Sequence, residues 1–233
     1  NNSQLLQGTT GVGANTGAGD LSVFQEGTVN NFQYNYWCSP VGAPLAAAGN
    51  NPFGITRLYR PTGLTASTAA TILPTSNYNG TSNPLAIAPY WIWKFITSST
   101  YAQWVSVGSA STINVGEGFT MKGTSGSDST EPLTGIGQNK PNPYHDSNPT
   151  TPEIHTQRYD FRGKPNDGDI TINLADNKFT LTGNPYPSAI NLKWFLVGDS
   201  GLGIPGNPNC TGIAYFWEHD KTVNSHYLSA YRG

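Results

Sequence analysis

The ten residues LTGNPYPSAI, at positions 181–190, decide the fold class because they stop a strand abruptly. An apolar start runs into Gly183 and Asn184, and two prolines then bracket Tyr186. Proline cannot donate to a β ladder, and it holds the residue before it extended. The chain therefore leaves its sheet in a fixed direction, and Tyr186 is expected to plug the edge of the core. If one of these X-Pro bonds is cis, Tyr186–Pro187 is the best candidate.

A similar strand stop occurs earlier, at Cys38-Ser39-Pro40-Val41. An aromatic strand follows each stop, PYWIWKF (89–95) after the first and IAYFWEH (213–219) after the second. This repeated pattern of a strand stop and an aromatic strand predicts two related half-units, although the whole chain could also be one composite domain. The predicted parts are a first β half-unit at 1–123, a loop or insertion at 124–156, and a second β half-unit at 157–233 that is truncated at its C-terminal end.

The composition is typical of a many-stranded β protein. Charged residues are 11% of the 233, whereas Gly (27), Pro (17), Tyr (12) and Trp (6) are plentiful. Residues 64–73 and 189–197 are the best candidates for a short helix or turn, and the rest reads as strands between turns. We therefore predict an all-β, antiparallel fold of the sandwich or jelly-roll type.

The charge pattern excludes some partners and favours export. The net charge is −2 and there is no basic run, so we expect no nucleic-acid partner. No apolar stretch reaches the length of a membrane span, so we expect no membrane insertion. Low charge with many Asn, Thr and Gly residues favours a secreted protein over a cytosolic one.

The two cysteines, Cys38 and Cys210, match no metal site in their spacing. They are either two buried free thiols or one long-range disulfide. The even count in a chain that we expect to be exported favours the disulfide.

No catalytic constellation stands out. The chain has no G-x-S-x-G elbow for a nucleophilic serine. Glycoside hydrolysis needs two acids across a cleft, and no pair is singled out among Glu117, Glu218, Asp160 and Asp169. Glu117, flanked by glycines, is expected to serve a bulge or turn. We predict that the protein is not an enzyme.

The turn Asn166-Asp167-Gly168-Asp169 carries oxygen ligands that suit calcium. Asp167 and Asp169 are the candidate ligands, but the spacing is not that of an EF-hand loop. A plain turn is therefore the favoured interpretation. No other cofactor or metal is predicted.

The six tryptophans suggest a surface on which sugars could stack. Trp104 has the most polar surroundings, so it is the candidate glycan contact. Alternation along PYWIWKF places Trp91 and Trp93 on one face and Ile92 on the other. We nevertheless expect the remaining five tryptophans to lie in the core: Trp37, Trp91, Trp93, Trp194 and Trp217.

Six strings together resemble a recurrent module of large secreted and surface proteins of the Bacteroidetes, especially flavobacteria. These strings are NNSQLLQ, YNYWCSPVG, GEGFTMKGTSG, RYDFRGKPNDGDI, LTGNPYPSAI and CTGIAYFWEHDKTVNSHYLSAYRG. The resemblance implies export by the type IX secretion system, a place at the cell surface, and neighbouring domains in a longer chain. It transfers no catalytic residue. Asp128-Ser129-Thr130 also fits the O-glycosylation pattern of this phylum, with Ser129 as the acceptor.

Two functions follow from these observations. The first is a non-catalytic structural or adhesive module of a large cell-surface protein, serving attachment or gliding. The second is a carbohydrate-binding module for surface glycans, which requires at least two exposed aromatic rings on one face.

Overall fold

The structure is a computed structural model that describes residues 5, 15–27, 31–63, 65–108, 112–125, 140–141, 155–206, 212–218 and 226–232. The chain divides into two compact units, Asn1–Ser188 and Ala189–Gly233.

The described part of the first unit consists of strands and three short 3₁₀ helices. The strands are β1 (Leu21–Gly27), β2 (Tyr34–Cys38), β3 (Val41–Gly42), β4 (Phe53–Gly54), β5 (Leu58–Pro61), β6 (Ser67–Ala69), β7 (Thr71–Ile72), β8 (Gly80–Thr81), β9 (Ala86–Ile87), β10 (Trp93–Lys94), β11 (Val105–Ser106), β12 (Thr112–Ile113), β13 (Gly118–Lys122), β14 (Thr124–Ser125), β15 (Lys140–Pro141) and β16 (His155–Pro165). The 3₁₀ helices are Ile55–Arg57, Pro89–Trp91 and Tyr101–Gln103.

Strand β16 organises the largest sheet, whose order is β1-β16-β5-β6, with β3 and β15 also paired to β16. All of these pairings are antiparallel. Along β16, Tyr159 and Phe161 are buried in the core. Gly163 lies against the backbone carbonyl of Gly42, where a Cβ would overlap the oxygen. Glycine at this position lets β3 approach β16.

The second large sheet, β11-β10-β13-β2, packs against the first across an aromatic core. Trp37 of β2 contacts Tyr159 and Phe161 of β16, with both ring-centroid distances at 5.5 Å. Phe53 stacks between Phe119 of β13 and Phe161, at 6.5 and 5.5 Å. Two mainly antiparallel sheets that share one core form a sandwich, so the predicted all-β antiparallel fold is confirmed.

Two smaller sheets complete the described first unit. Strands β12 and β4 form an antiparallel pair. The other sheet, β14-β8-β9-β7, contains two parallel pairings, β14 with β8 and β7 with β9. The two large sheets are therefore antiparallel, whereas the sheet β14-β8-β9-β7 contains both parallel and antiparallel pairings.

The strand expected before the prolines of 181–190 is not formed, because only single bridges occur there. Single bridges join Phe179 to Ser98 and Thr182 to Glu117 before the prolines end the pairing. The Tyr186 hydroxyl then donates to the Gly168 carbonyl at 2.6 Å. The segment thus fixes the turn that follows β16.

The cis proline is not where the sequence suggested. Among the described residues the cis peptide bond is Asn83–Pro84, whereas Tyr186–Pro187 is not cis. Asn184 instead shapes the tyrosine turn, because its Oδ1 accepts a hydrogen bond from the Tyr186 amide at 3.1 Å. This Asx turn holds Tyr186 in place without a cis bond.

The second unit contains the one described α-helix, α1 (Leu192–Val197), and a 3₁₀ helix, Ser200–Leu202. Asn191 caps α1, since its Oδ1 accepts from the Trp194 amide at 3.1 Å. Its strands form the antiparallel pairs β17 (Gly198–Asp199) with β18 (Ile204–Pro205) and β19 (Ile213–Glu218) with β20 (His226–Arg232). The helix predicted within 189–197 is therefore present.

The short helix or turn expected at 64–73 is not formed by its described residues, which make up β6 and β7, because pairing with β5 and β9 overrides the local pattern. Residue 157, where the predicted second half-unit begins, lies inside strand β16. Strand β16 lies within the first unit, paired with β1, β3 and β5, and the division falls after Ser188.

Candidate functional site

Aromatic side chains cover the outer side of the sheet β11-β10-β13-β2. Trp93, Thr120 and Tyr36 form one row, because β10 pairs Trp93 with Thr120 and β13 pairs Thr120 with Tyr36. Phe119 and Trp37, one position along their strands, are buried on the core side. Since successive side chains of a strand point to opposite faces, Trp93 and Tyr36 face away from the core.

Neighbouring rings extend this row into a continuous surface. Tyr90 contacts Trp91 at 4.7 Å and Tyr78 at 4.8 Å between ring centroids, and Tyr34 contacts Trp91 at 6.1 Å. All three contacts are edge-to-face, a preferred geometry of aromatic pairs. We call this surface the aromatic face, and its members are Phe32, Tyr34, Tyr36, Tyr78, Tyr90, Trp91, Trp93, Tyr101 and Lys122.

Hydrogen bonds hold the two tryptophans of this face in place. The Trp91 indole Nε1 donates to the Tyr78 carbonyl at 2.7 Å. The Thr120 hydroxyl donates to the Trp91 carbonyl at 3.3 Å and accepts from the Trp93 amide at 3.2 Å. The ring surface therefore rests on a sheet and a 3₁₀ helix, which gives it a fixed shape.

Several rings of the aromatic face remain open to solvent. The exposed fraction is 65% for Tyr36, 80% for Phe32 and 88% for Tyr101. Burial raises the pKa of Tyr34, and the nearby phenols of Tyr101, Tyr36 and Tyr90 raise it further. The Tyr34 phenol is thus neutral at physiological pH and able to both donate and accept hydrogen bonds.

Lys122 supplies a positive charge within this surface. Its Nζ lies 4.7 Å from the Trp91 ring centroid and 6.0 Å from that of Phe32. Both distances are within the range of a cation–π interaction. The ammonium also donates to Asn79 Oδ1 at 3.4 Å, and Asn31 Nδ2 donates to the same oxygen at 3.5 Å. The aromatic face therefore borders a polar notch made of Lys122, Asn79 and Asn31.

This arrangement suits the binding of a ligand that has apolar faces. Exposed rings stack against the apolar faces of a ligand, while tyrosine hydroxyls and the notch offer hydrogen bonds. Within the described residues, no group of three or more His, Cys, Asp or Glu side chains comes together to hold a metal ion.

Two of the four acids considered for catalysis, Glu117 and Asp160, lie in structural contacts. Glu117 accepts from Lys94 Nζ at 2.7 Å and from Asn114 Nδ2 at 2.9 Å. Burial raises its pKa, but the bonds from Lys94 and Asn114 lower it more, so the pKa lies below its usual range. Asp160 is fully buried and accepts from Arg162 Nε at 2.7 Å. The side chain of Glu218 lies outside the described residues.

The tryptophan predictions succeed in part. Trp37 is buried in the core as expected. Trp91 and Trp93 share the face opposite the fully buried Ile92, as alternation predicted, but this face is the outer one, so placing them in the core was wrong. Trp194 is also partly exposed, not buried in a core. The side chain of Trp217 lies outside the described residues.

Trp104, the predicted glycan contact, is only partly exposed and packs against Phe95 at 4.9 Å. Its described ring contacts do not connect it to the aromatic face. A glycan contact at Trp104 stays a prediction.

The cysteine pair is described at one end only. Cys38 is a free thiol in the structure. Burial raises its pKa to about 12, although hydrogen bonds from the backbone of Gly183 and Gly116 lower it. Cys210 lies outside the described residues, so the disulfide stays a prediction.

The two candidate calcium ligands have different surroundings. Asp167 is buried, its Oδ2 accepts from the Asn15 amide at 3.0 Å, and its Oδ1 has no partner in the structure. Asp169 is exposed. The pair by itself does not make a coordination shell, and calcium binding stays a prediction. Ser129, the candidate O-glycosylation site, lies outside the described residues.

Sequence reasoning missed most of the aromatic face, although a signal was present. In FQYNYW (32–37), Phe32, Tyr34 and Tyr36 alternate with Gln33, Asn35 and Trp37. Alternation predicts that the residues of each set share one face of the strand. Because both sets contain an aromatic ring, it does not predict which of the two faces is exposed.

The family comparison covers nearly the whole chain. Residues 1–232 match the family described as "Domain of unknown function (DUF8693)". The chain belongs to this family. No curated protein and no solved structure matches it. Among its described helices, none is long and apolar enough to cross a membrane.

Proposed function

We propose that this DUF8693 domain is a non-catalytic adhesive module of a secreted cell-surface protein, and that it attaches by binding saccharides on its aromatic face. The observation that carries the proposal is the row of exposed rings on the outer side of a packed sheet. In this row Tyr36 and Trp93 lie on either side of Thr120 and both pair with it.

A sugar ring matches this surface chemically. Its C–H groups form an apolar face that stacks on an aromatic ring, and its hydroxyls need hydrogen-bond partners at the rim. Tyr36 and Tyr101 supply exposed rings that carry their own hydroxyls. The Trp91 indole is held by its hydrogen bond to the Tyr78 carbonyl, so ordering this ring on binding costs little entropy.

The sequence supports a location of the module at the cell surface. A charged content of 11% and the strings that resemble flavobacterial surface proteins support export through the type IX secretion system. In this proposal, neighbouring domains of a longer chain carry the module at the cell surface, where it serves attachment or gliding. Catalysis is not part of the role, because Glu117 and Asp160 are held in structural contacts.

A glycan array with matched variants tests the proposal. We expect saturable binding of the unmodified protein to one class of saccharide. Phe32→Ala and Tyr36→Ala should each weaken it about tenfold, since each removes a stacking ring. Phe179→Ala is the matched control, because Phe179 is 69% exposed and lies outside the aromatic face.

Two results would contradict saccharide binding on the aromatic face, and a third would contradict the non-catalytic role. One is the absence of saccharide binding by the unmodified, folded protein across the array. The other is binding that Phe179→Ala weakens as much as Phe32→Ala does. A specific hydrolase activity that is lost on changing one carboxylate would overturn the non-catalytic role.

A further inference from the structure

Lys122 distinguishes the aromatic face from a purely apolar surface, and the inference drawn from it rests on the proposed saccharide-binding function. Lys122 is the one member of the aromatic face with a formal charge, and it lies beside Tyr34 in the register of β13 and β2. A ligand that spreads over these rings must therefore pass close to an ammonium group.

The ammonium of Lys122 is held in place but not neutralised. Trp91 and Phe32 contact it through their rings, at 4.7 and 6.0 Å, and these contacts leave its charge unchanged. Its one hydrogen bond in the structure, to Asn79 Oδ1, is long at 3.4 Å. Among the described residues no carboxylate forms an ion pair with Lys122. Since an ammonium has three donors, donors remain for a ligand.

The neighbouring amides hold the notch together. Asn79 Oδ1 accepts from Asn31 Nδ2 at 3.5 Å and from the Lys122 ammonium at 3.4 Å. Carboxylates and sulfates accept hydrogen bonds only, and a charged donor makes such bonds shorter and stronger. The notch therefore complements an anionic group at the edge of a stacked ring.

We propose that the aromatic face selects acidic saccharides, with Lys122 binding the anionic substituent of a sugar that stacks on the adjacent rings. The shared chemistry is a single negative charge on a pyranose ring, which either a uronic-acid carboxylate or a sulfate ester supplies. Lys122 acts as a specificity-determining residue, and the rings supply most of the contact area.

The experiment compares polygalacturonate with its fully methyl-esterified form, which keeps the sugar stereochemistry and removes the charge. Binding is measured by isothermal titration calorimetry with the unmodified full chain. We expect polygalacturonate to bind about tenfold more tightly than the ester, as a charge-assisted hydrogen bond would give. A sulfated galactan and its desulfated form repeat the comparison for the second source of charge.

Variants of Lys122 test whether this residue causes the preference for the acidic polymer. Lys122→Met should remove the preference for the acidic polymer over its ester, and Lys122→Arg should keep it. Lys178→Met is the control, because Lys178 is exposed, donates to Ser99 Oγ at 3.0 Å and lies outside the aromatic face. Thermal melts confirm that each variant is folded.

The outcomes separate this inference from the function on which it rests. Equal binding of acidic and neutral polymers by the unmodified protein overturns the charge selection and leaves saccharide binding in place. A preference that survives in Lys122→Met overturns the role of Lys122. Binding of neither the uronate nor the sulfated pair, together with a neutral hit on the array, also overturns the acidic selection, whereas an array without any hit overturns the function itself.

Discussion

The Cys38 side chain sits where strand β2 ends, against the segment that carries the second strand stop. A Cβ on Gly183 would lie 2.6 Å from the Cβ of Cys38, so the two backbones approach closely at this point. The thiol is therefore mostly, though not fully, covered by protein. Its raised pKa of about 12 follows first from this burial.

Cys38 should be unreactive in the native protein. A thiol pKa of about 12 in place of the usual ~8.5 leaves roughly a thousandfold less thiolate at pH 8. In a Cys210→Ser variant, which isolates this thiol, we expect negligible reaction with Ellman's reagent until denaturant is added. Rapid labelling of the folded variant would contradict the enclosure of Cys38.

The same variant, compared with the unmodified protein by intact mass with and without reductant, tests the predicted disulfide.

At the scale of elements, the close approach of β3 to β16 yields a prediction about stability. Gly163→Ala places a methyl group against the Gly42 carbonyl, and a backbone atom cannot move aside as a side chain can. We expect the free energy of unfolding to fall by about 2–4 kcal/mol, measured by urea denaturation. Gly19→Ala is the control, since a Cβ there meets nothing within 4 Å. Equal stability of both variants would contradict the described register of β3.

At this scale, strands could be predicted from the sequence where apolar or aromatic residues alternate with other residues between two turns. The aromatic strand predicted at 213–219 is present as β19, whereas the one predicted at 89–95 contains the 3₁₀ helix Pro89–Trp91 and the two-residue strand β10. The prediction for 64–73 was wrong because its Ala residues favour a helix and its Thr residues favour a strand, and pairing with β5 and β9 then decided between them. Local pattern therefore predicts the long strands, and tertiary pairing determines the short ones.

The candidate site was predictable only in outline. Alternation correctly separated Trp91 and Trp93 from Ile92, and an exposed aromatic platform was recognised as the requirement for sugar binding. Which side faced solvent depended on Phe53 and Phe161, which fill the core from other parts of the chain. That information is non-local, so no window of sequence around residues 89–95 contains it.

For the whole molecule, the division after Ser188 predicts that the first unit is stable by itself. Its buried cluster, from Trp37 to Phe161, is drawn entirely from residues before 188. We expect a fragment of residues 1–188 to unfold cooperatively in urea and to keep the near-ultraviolet circular dichroism of its packed aromatic rings. Loss of a cooperative transition in the fragment, while the full chain retains one, would contradict this autonomy. The full chain measured under the same conditions is the reference.

The different surroundings of Trp37 and Trp91 have an optical consequence. Trp37 is enclosed between Tyr159 and Phe161, and its indole Nε1 has no hydrogen-bond partner in the structure. Trp91 lies partly exposed, with the Lys122 ammonium 4.7 Å from its ring centroid. The buried indole should emit at short wavelength and be shielded from iodide. The indole beside Lys122 should emit further to the red and change its intensity when a ligand displaces the surrounding water, so ultraviolet emission follows occupancy of this surface without any added label.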